Sequence, residues 1–164
     1  MIDITTATLC DFAQVRERLL MVSSGAITRL YRQQLPATLA VMVAVVVAVP
    51  LEDTGDTHTL IAEVVNRNGH EVAEGRTAFT VGNEDLFPHE VQQIPLVLSL
   101  AQIATDQWGT HQVRLSVDDG PMVSLTFYLV PIGNPGSASD SVATNESIAA
   151  NDSQTNGSTR VAAN

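Results

Sequence analysis

Leu39-Ala-Val-Met-Val-Ala-Val-Val-Val-Ala-Val49 is an unbroken run of eleven apolar residues, held between Pro36 and Pro50. Wound as a helix it would reach only about 16 Å, roughly half of a ~30 Å hydrocarbon core. Six of the eleven are Val, whose branched Cβ favours the pleated strand over the helix. Proline at either end suits the limits of a strand better than a helix interior. The run therefore reads as a long, largely buried strand. Alternation would put Val41, Val43, Val45, Val47 and Val49 on one face. Ala40, Met42, Ala44, Val46 and Ala48 take the other, to be covered by a helix, a loop or a partner chain.

The 164 residues suit one ordinary domain, and an apolar share of 45% suits a folded core. Charged residues make up 16% and aromatics 4%, so that core has to be aliphatic. The net charge is −10 and all eight basic residues are Arg, with no Lys. An acidic surface repels phosphate backbones and anionic lipid, which argues against nucleic-acid and membrane partners. Absence of Lys also removes Schiff-base and P-loop chemistry. Cys10 stands alone, so no intrachain disulfide or cysteine metal cluster can form, and its apolar neighbours suggest a buried, inert thiol. Met1-Ile-Asp-Ile-Thr-Thr6 lacks the basic and apolar regions of a signal peptide. A cytoplasmic location follows, although Arg29-Leu-Tyr-Arg32 before the apolar run loosely imitates a signal segment deeper in the chain.

Period-two alternation recurs through the body. Val113, Leu115 and Val117 alternate with polar residues, as do Val123, Leu125, Phe127 and Leu129. Asp118-Asp-Gly-Pro121 between them marks a tight hairpin turn. A second hairpin pairs His58–Val65 with His70–Val81 across Asn66-Arg-Asn-Gly69, and Gly75 suggests a bulge. Gln93–Leu100 reads as a further strand, placed at an edge by Pro95. Thr5–Cys10 and Leu19–Ser24 read as short strands. Phe12, Val15 and Leu19 have helical spacing, so 11–18 could instead be a helix capped by Asp11, and 101–108 could form one helical turn. About eight strands with turns between them indicate an all-β chain, a single antiparallel β-sandwich over residues 1–131. Residues 132–164 are rich in Ser, Asn and Ala and read as a disordered tail. The three Asn-x-Ser triplets at Asn145, Asn151 and Asn156 follow from that composition.

Cys10-Asp-Phe-Ala-Gln-Val15, the strand ending at Gly25, the Pro36–Pro50 strand, Asn68-Gly69, Gly109-Thr-His-Gln-Val-Arg-Leu-Ser-Val-Asp-Asp-Gly120 and Phe127-Tyr-Leu-Val-Pro131 occur in a telling order. The chain resembles a family of small uncharacterised bacterial domains, common in actinobacteria, over residues 7–131. Members open with A-D-x-A-Q-V and close with G-x-Y-x-x-x-L-x-V-D-G. The second phrase departs here at His111, where an aromatic is usual, and at Asp119, which is inserted. These are turn and strand signatures; the resemblance implies a fold and no activity.

Chemistry-bearing constellations are sparse. His58, His70, His89 and His111 match no local ligand spacing and read as scattered surface residues, although strands could assemble a metal site, for instance from His70, His89 and Glu90. Asp118-Asp119 and Glu52-Asp53-x-x-Asp56 could hold Ca²⁺ between loops, but read as solvated turns. No nucleophile elbow, phosphate loop or cofactor motif is present, so neither a cofactor nor an enzyme is expected. The densest candidate is the loop Glu84, Asp85, Leu86, Phe87, His89 and Glu90. An exposed Phe87 there suits a protein contact; folded back, it would plug the end of the sandwich. The expected function is an interaction or structural module, contacting a protein partner or a second copy. The alternative is a carbohydrate- or small-ligand-binding sandwich using Trp108, Tyr31 or Tyr128.

Overall fold

The valine-rich run becomes the centre of the molecule because its alternate side chains fill one face without a polar interruption. A computed structural model describes residues 1–82 and 87–133. In it the strands are β1 Asp3–Arg16, β2 Leu19–Gly25, β3 Arg29–Arg32, β4 Ala37–Thr38, β5 Met42–Pro50, β6 Thr57–Asn66, β7 Glu71–Thr80, β8 Val91–Ser99, β9 Ala104–Thr105, β10 Gly109–Val117 and β11 Val123–Pro131. The fold is all-β. A short 3-10 turn, Leu51–Asp53, is the single helical element among the described residues.

Three sheets form, of order β2-β1-β5-β8, β3-β11-β10-β6-β7 and β4-β9. The expected eight strands are therefore eleven among the described residues. Nor is the pairing purely antiparallel, since β3 runs parallel to β11 with Leu30 opposite Leu129. The surplus comes from β3, β4 and β9, two to four residues each. Elements that short carry too little alternation to show in sequence. Residues Met1–Ile132 make one compact unit. The expectation of a disordered tail falls on residues 134–164, outside the described residues. No helix among the described residues is long and apolar enough to cross a membrane.

Val41, Val43, Val45, Val47 and Val49 are all buried, in one core with Leu9 of β1, Leu60 and Val64 of β6, Val113 and Leu115 of β10, and Phe127 and Leu129 of β11. Each such aliphatic side chain contributes about 1.5–3 kcal/mol on leaving water. The strand itself begins at Met42 rather than Leu39. Ala40 has φ +50°, and Leu39 N–H bonds the Ile103 carbonyl at 2.8 Å instead. Leu39 and Val41 stay buried all the same.

Part of the alanine-rich face of β5, at Met42 and Ala44, is covered by the chain's own first hairpin, while Val46 and Ala48 stay half-buried. β1 pairs with β5 over Asp3–Cys10 and with β2 over Cys10–Arg16. Its second half, with β2, lies over β5, packing Cys10, Ala13 and Leu20 on Ala44, Met42 and Val97. Small residues at Ala13 and Ala44 allow that close approach. Arg18 donates to Gln92 Oε1 on β8 at 2.9 Å, tying the hairpin tip to the far edge of the same sheet.

This corrects two expectations. Residues 11–18 form no helix: β1 continues to Arg16, and Glu17 (φ +52°) and Arg18 (φ +64°) make a two-residue turn of the mirror-image type that hairpin twist favours. Residues 101–108 hold a turn and strand β9 rather than a helical turn. The two hairpins read from turn residues are present as β6–β7 and β10–β11, and Gly69 takes φ +77° as its turn requires. The irregularity in β6–β7 lies at Val64/Val65, whereas Gly75 pairs in register with Ala62.

Candidate functional site

The loop before β8 keeps its phenylalanine outside. Phe87 is 77% exposed, its N–H donates to the Glu90 carboxylate at 2.9 Å, and Glu90 N–H donates back to its carbonyl at 3.0 Å. That reciprocal turn holds Phe87 in solvent, so it does not plug the end of the core. His89 is exposed at φ +66°. Glu84, Asp85 and Leu86 lie outside the described residues.

Two histidines expected at the surface are buried. His58 on β6 meets an Asp118 carboxylate oxygen at Nδ1 (2.9 Å) and the Asp53 carbonyl at Nε2 (2.8 Å). Both ring nitrogens face acceptors, an arrangement that the doubly protonated ring satisfies. Burial would lower its pKa, but the hydrogen bonds and charges of Asp118 and Asp53 outweigh that and raise it. Asp118 is held below the usual carboxylate range, chiefly by the Thr59 N–H and then by His58, against its partial burial. The unit clamps the 3-10 turn and the β10–β11 turn to β6. With Nε2 committed to a carbonyl, His58 has no ring nitrogen for a substrate, and the geometry is structural.

His111 is fully buried on β10. Its Nδ1 donates to the Gly109 carbonyl at 3.0 Å, which leaves Nε2 to accept from Thr105 Oγ at 3.0 Å. The ring stacks on Phe127 with centroids 5.3 Å apart. The imidazole thus packs as a ring in the core beside Phe127. His70 is exposed like His89, and among the described residues no group of three or more His, Cys, Asp or Glu could hold a metal ion. Structure brings Asp53 and Asp118 together from the two acidic stretches, but around His58. Cys10 is buried, its thiol pushed up in pKa by desolvation and then by Asp11, which suits an inert side chain.

The feature that sequence reading missed is the outer face of the β1–β2 hairpin. Directly opposed residues in an antiparallel pair share a face. Ala13 and Val15 therefore face inward with Val22 and Leu20, while Phe12, Gln14 and Arg16 face outward with Ser23, Met21 and Leu19. Phe12 (48%), Met21 (50%) and Leu19 (68%) are exposed there, and the Gln14 amide donates to Met21 Sδ at 3.5 Å. Val15 (44%) and Val22 (42%), on the other face, are exposed as well.

Beside this face runs a free strand edge. Four strands end the two larger sheets: β2, β8, β3 and β7. Pro95 leaves β8 without one backbone N–H; β7 carries Glu71, Glu74 and Arg76; β3 has four residues, two of them Arg. Such features keep an edge from pairing with another chain. Leu19–Gly25 of β2 has neither a charge nor a proline. The hairpin, residues 10–25, holds Asp11, Arg16, Glu17 and Arg18 and is neutral in a chain of net −10.

Comparison with protein families matches one model, described as a family of unknown function, over residues 5–130. The chain belongs to that family, DUF6941. The DUF6941 match runs from β1 to the end of β11 and so includes the hairpin, the clamp and both buried histidines. No curated protein matches the chain.

Proposed function

We propose that this DUF6941 domain is a non-enzymatic interaction module that docks a protein partner through the β1–β2 hairpin. One observation carries the reading: β2 is an unguarded edge beside an exposed face of Phe12, Leu19 and Met21. Free backbone groups and apolar side chains on one margin are what strand addition uses. The neutral hairpin carries no net charge that opposes a partner, whereas the −10 of each chain opposes a second copy. Phe87 extends the same reading to the loop before β8. A cytoplasmic setting and a bacterial source belong to this proposal, as does the exclusion of nucleic acid and membrane.

Affinity capture from the source cell with the full chain tests it. A partner retained by the wild type and by Ser124→Glu, on the far sheet, but lost with Met21→Glu supports the reading. Equal retention by all three would end it.

A second reading keeps some support. Tyr31 and Tyr128 are exposed on neighbouring strands β3 and β11, where a sugar ring could stack. Trp108, however, packs against the core and offers no open platform.

A further inference from the structure

We propose that the concavity between the β6–β7 turn and β10 binds an oxyanion of the phosphate class. It measures about 320 Å³ and is lined by Asn66, Arg67, Thr110, Gln112 and Arg114, with no acidic residue on its wall. In a chain with 18 Asp and Glu against 8 basic residues, such a wall is unusual. Two other cavities among the described residues differ: one is lined by Asp53, Asp118 and Asp119, the other by the paired Glu74 and Arg76.

The two guanidinium groups are unspent. Arg16 pairs with Glu17, Arg76 with Glu74, Arg18 is held by Gln92, and Arg32 donates to the carbonyls of Tyr31, Thr38 and Leu39. Among the described residues Arg67 and Arg114 form no ion pair or hydrogen bond. Glu63 stands across the ladder from Arg114 and still forms no ion pair with it.

Polar neighbours are arranged as donors. Asn66 Oδ1 accepts the N–H groups of Asn68 (2.9 Å) and His70 (3.1 Å), which leaves its amide NH₂ for a ligand. Thr110 and Gln112 add a hydroxyl and an amide on the same outward face of β10 as Arg114, since residues two apart share a face. Two guanidinium forks match the charge of a dianion, and their planar donors match its oxygens. The −10 of the whole chain opposes association, so binding is expected to be weak and to tighten as partner charge rises from one to two.

Titration of the full-length chain, followed by amide chemical shifts at constant ionic strength, tests the site. Inorganic phosphate, phenyl phosphate and acetate are the probes. The expected result is saturable shifts confined to residues 66–70 and 110–114, stronger for either phosphate than for acetate. Tighter binding of inorganic phosphate would assign a free ion; tighter binding of phenyl phosphate would assign a phosphate carried on a larger ligand. Arg67→Gln and Arg114→Gln should each weaken binding at least about tenfold, with the melting temperature little changed because both side chains face outward. Linear shifts, shifts spread over the surface, equal response to acetate, or unchanged affinity in both variants would overturn the proposal.

Discussion

His58 and Asp118, far apart in sequence, meet at 2.9 Å and hold each other ionised. The raised pKa of His58 means its contribution to stability is complete below its ordinary value of 6.5 and is lost as pH rises through the raised value. Asp118 works the other way: its contribution is complete above its ordinary 3.8 and is lost as pH falls through the lowered value. Thermal melts from pH 3 to 9 should therefore peak between about 4 and 6.5. His58→Gln should flatten the alkaline side of that profile, and Asp118→Asn should flatten both sides. An alkaline limb unchanged in His58→Gln would remove the clamp from the account.

Ala44 tests how the hairpin is seated. It is fully buried beneath Ala13 and Leu20. Ala44→Leu should cost about 1–3 kcal/mol by overpacking. It should also raise amide exchange across residues 10–22 while leaving β10 and β11 protected. Unfolding by urea and hydrogen exchange together check this; uniform loss of protection would mean that the hairpin and core are one cooperative unit.

Val45 tests the other face of the same strand. It lies at the centre of the core, opposite Ala7 on β1 and Leu96 on β8. Val45→Asp would bury a charge with no partner and should cost more than about 4 kcal/mol. Val45→Ala should cost less, about 1–3 kcal/mol, because it only opens a cavity. Urea midpoints measure both, and a soluble, folded Val45→Asp chain would contradict the placement.

The legible parts of the fold were those with a local signature. Asp118-Asp-Gly-Pro121 and Asn66-Arg-Asn-Gly69 announce their hairpins because glycine and asparagine supply the backbone angles a turn needs. Glu17-Arg18 adopts such angles without either residue, so the β1–β2 turn was invisible and the spacing of Phe12, Val15 and Leu19 imitated a helix. Those three side chains lie on two strands and two faces, where no single periodicity joins them. Burial of His58 depends on Asp118, 60 residues on, which no local pattern reveals. Exposure of Phe87 was one of two readings, decided by its reciprocal turn with Glu90. Arg67 and Arg114 come together only through the register of β6 against β10, with His111 opposite Asn66.

Site-specific photocrosslinking in the source cell shows whether a protein docks at the hairpin. A photoreactive residue would replace Leu19 on the outward face of β2 or, as a control, Ala78 on β7. Docking at the hairpin gives a discrete adduct of the chain with one different protein from position 19 and none from position 78. Adducts from position 78 alone, or from position 19 only with a second copy of the chain, would contradict it.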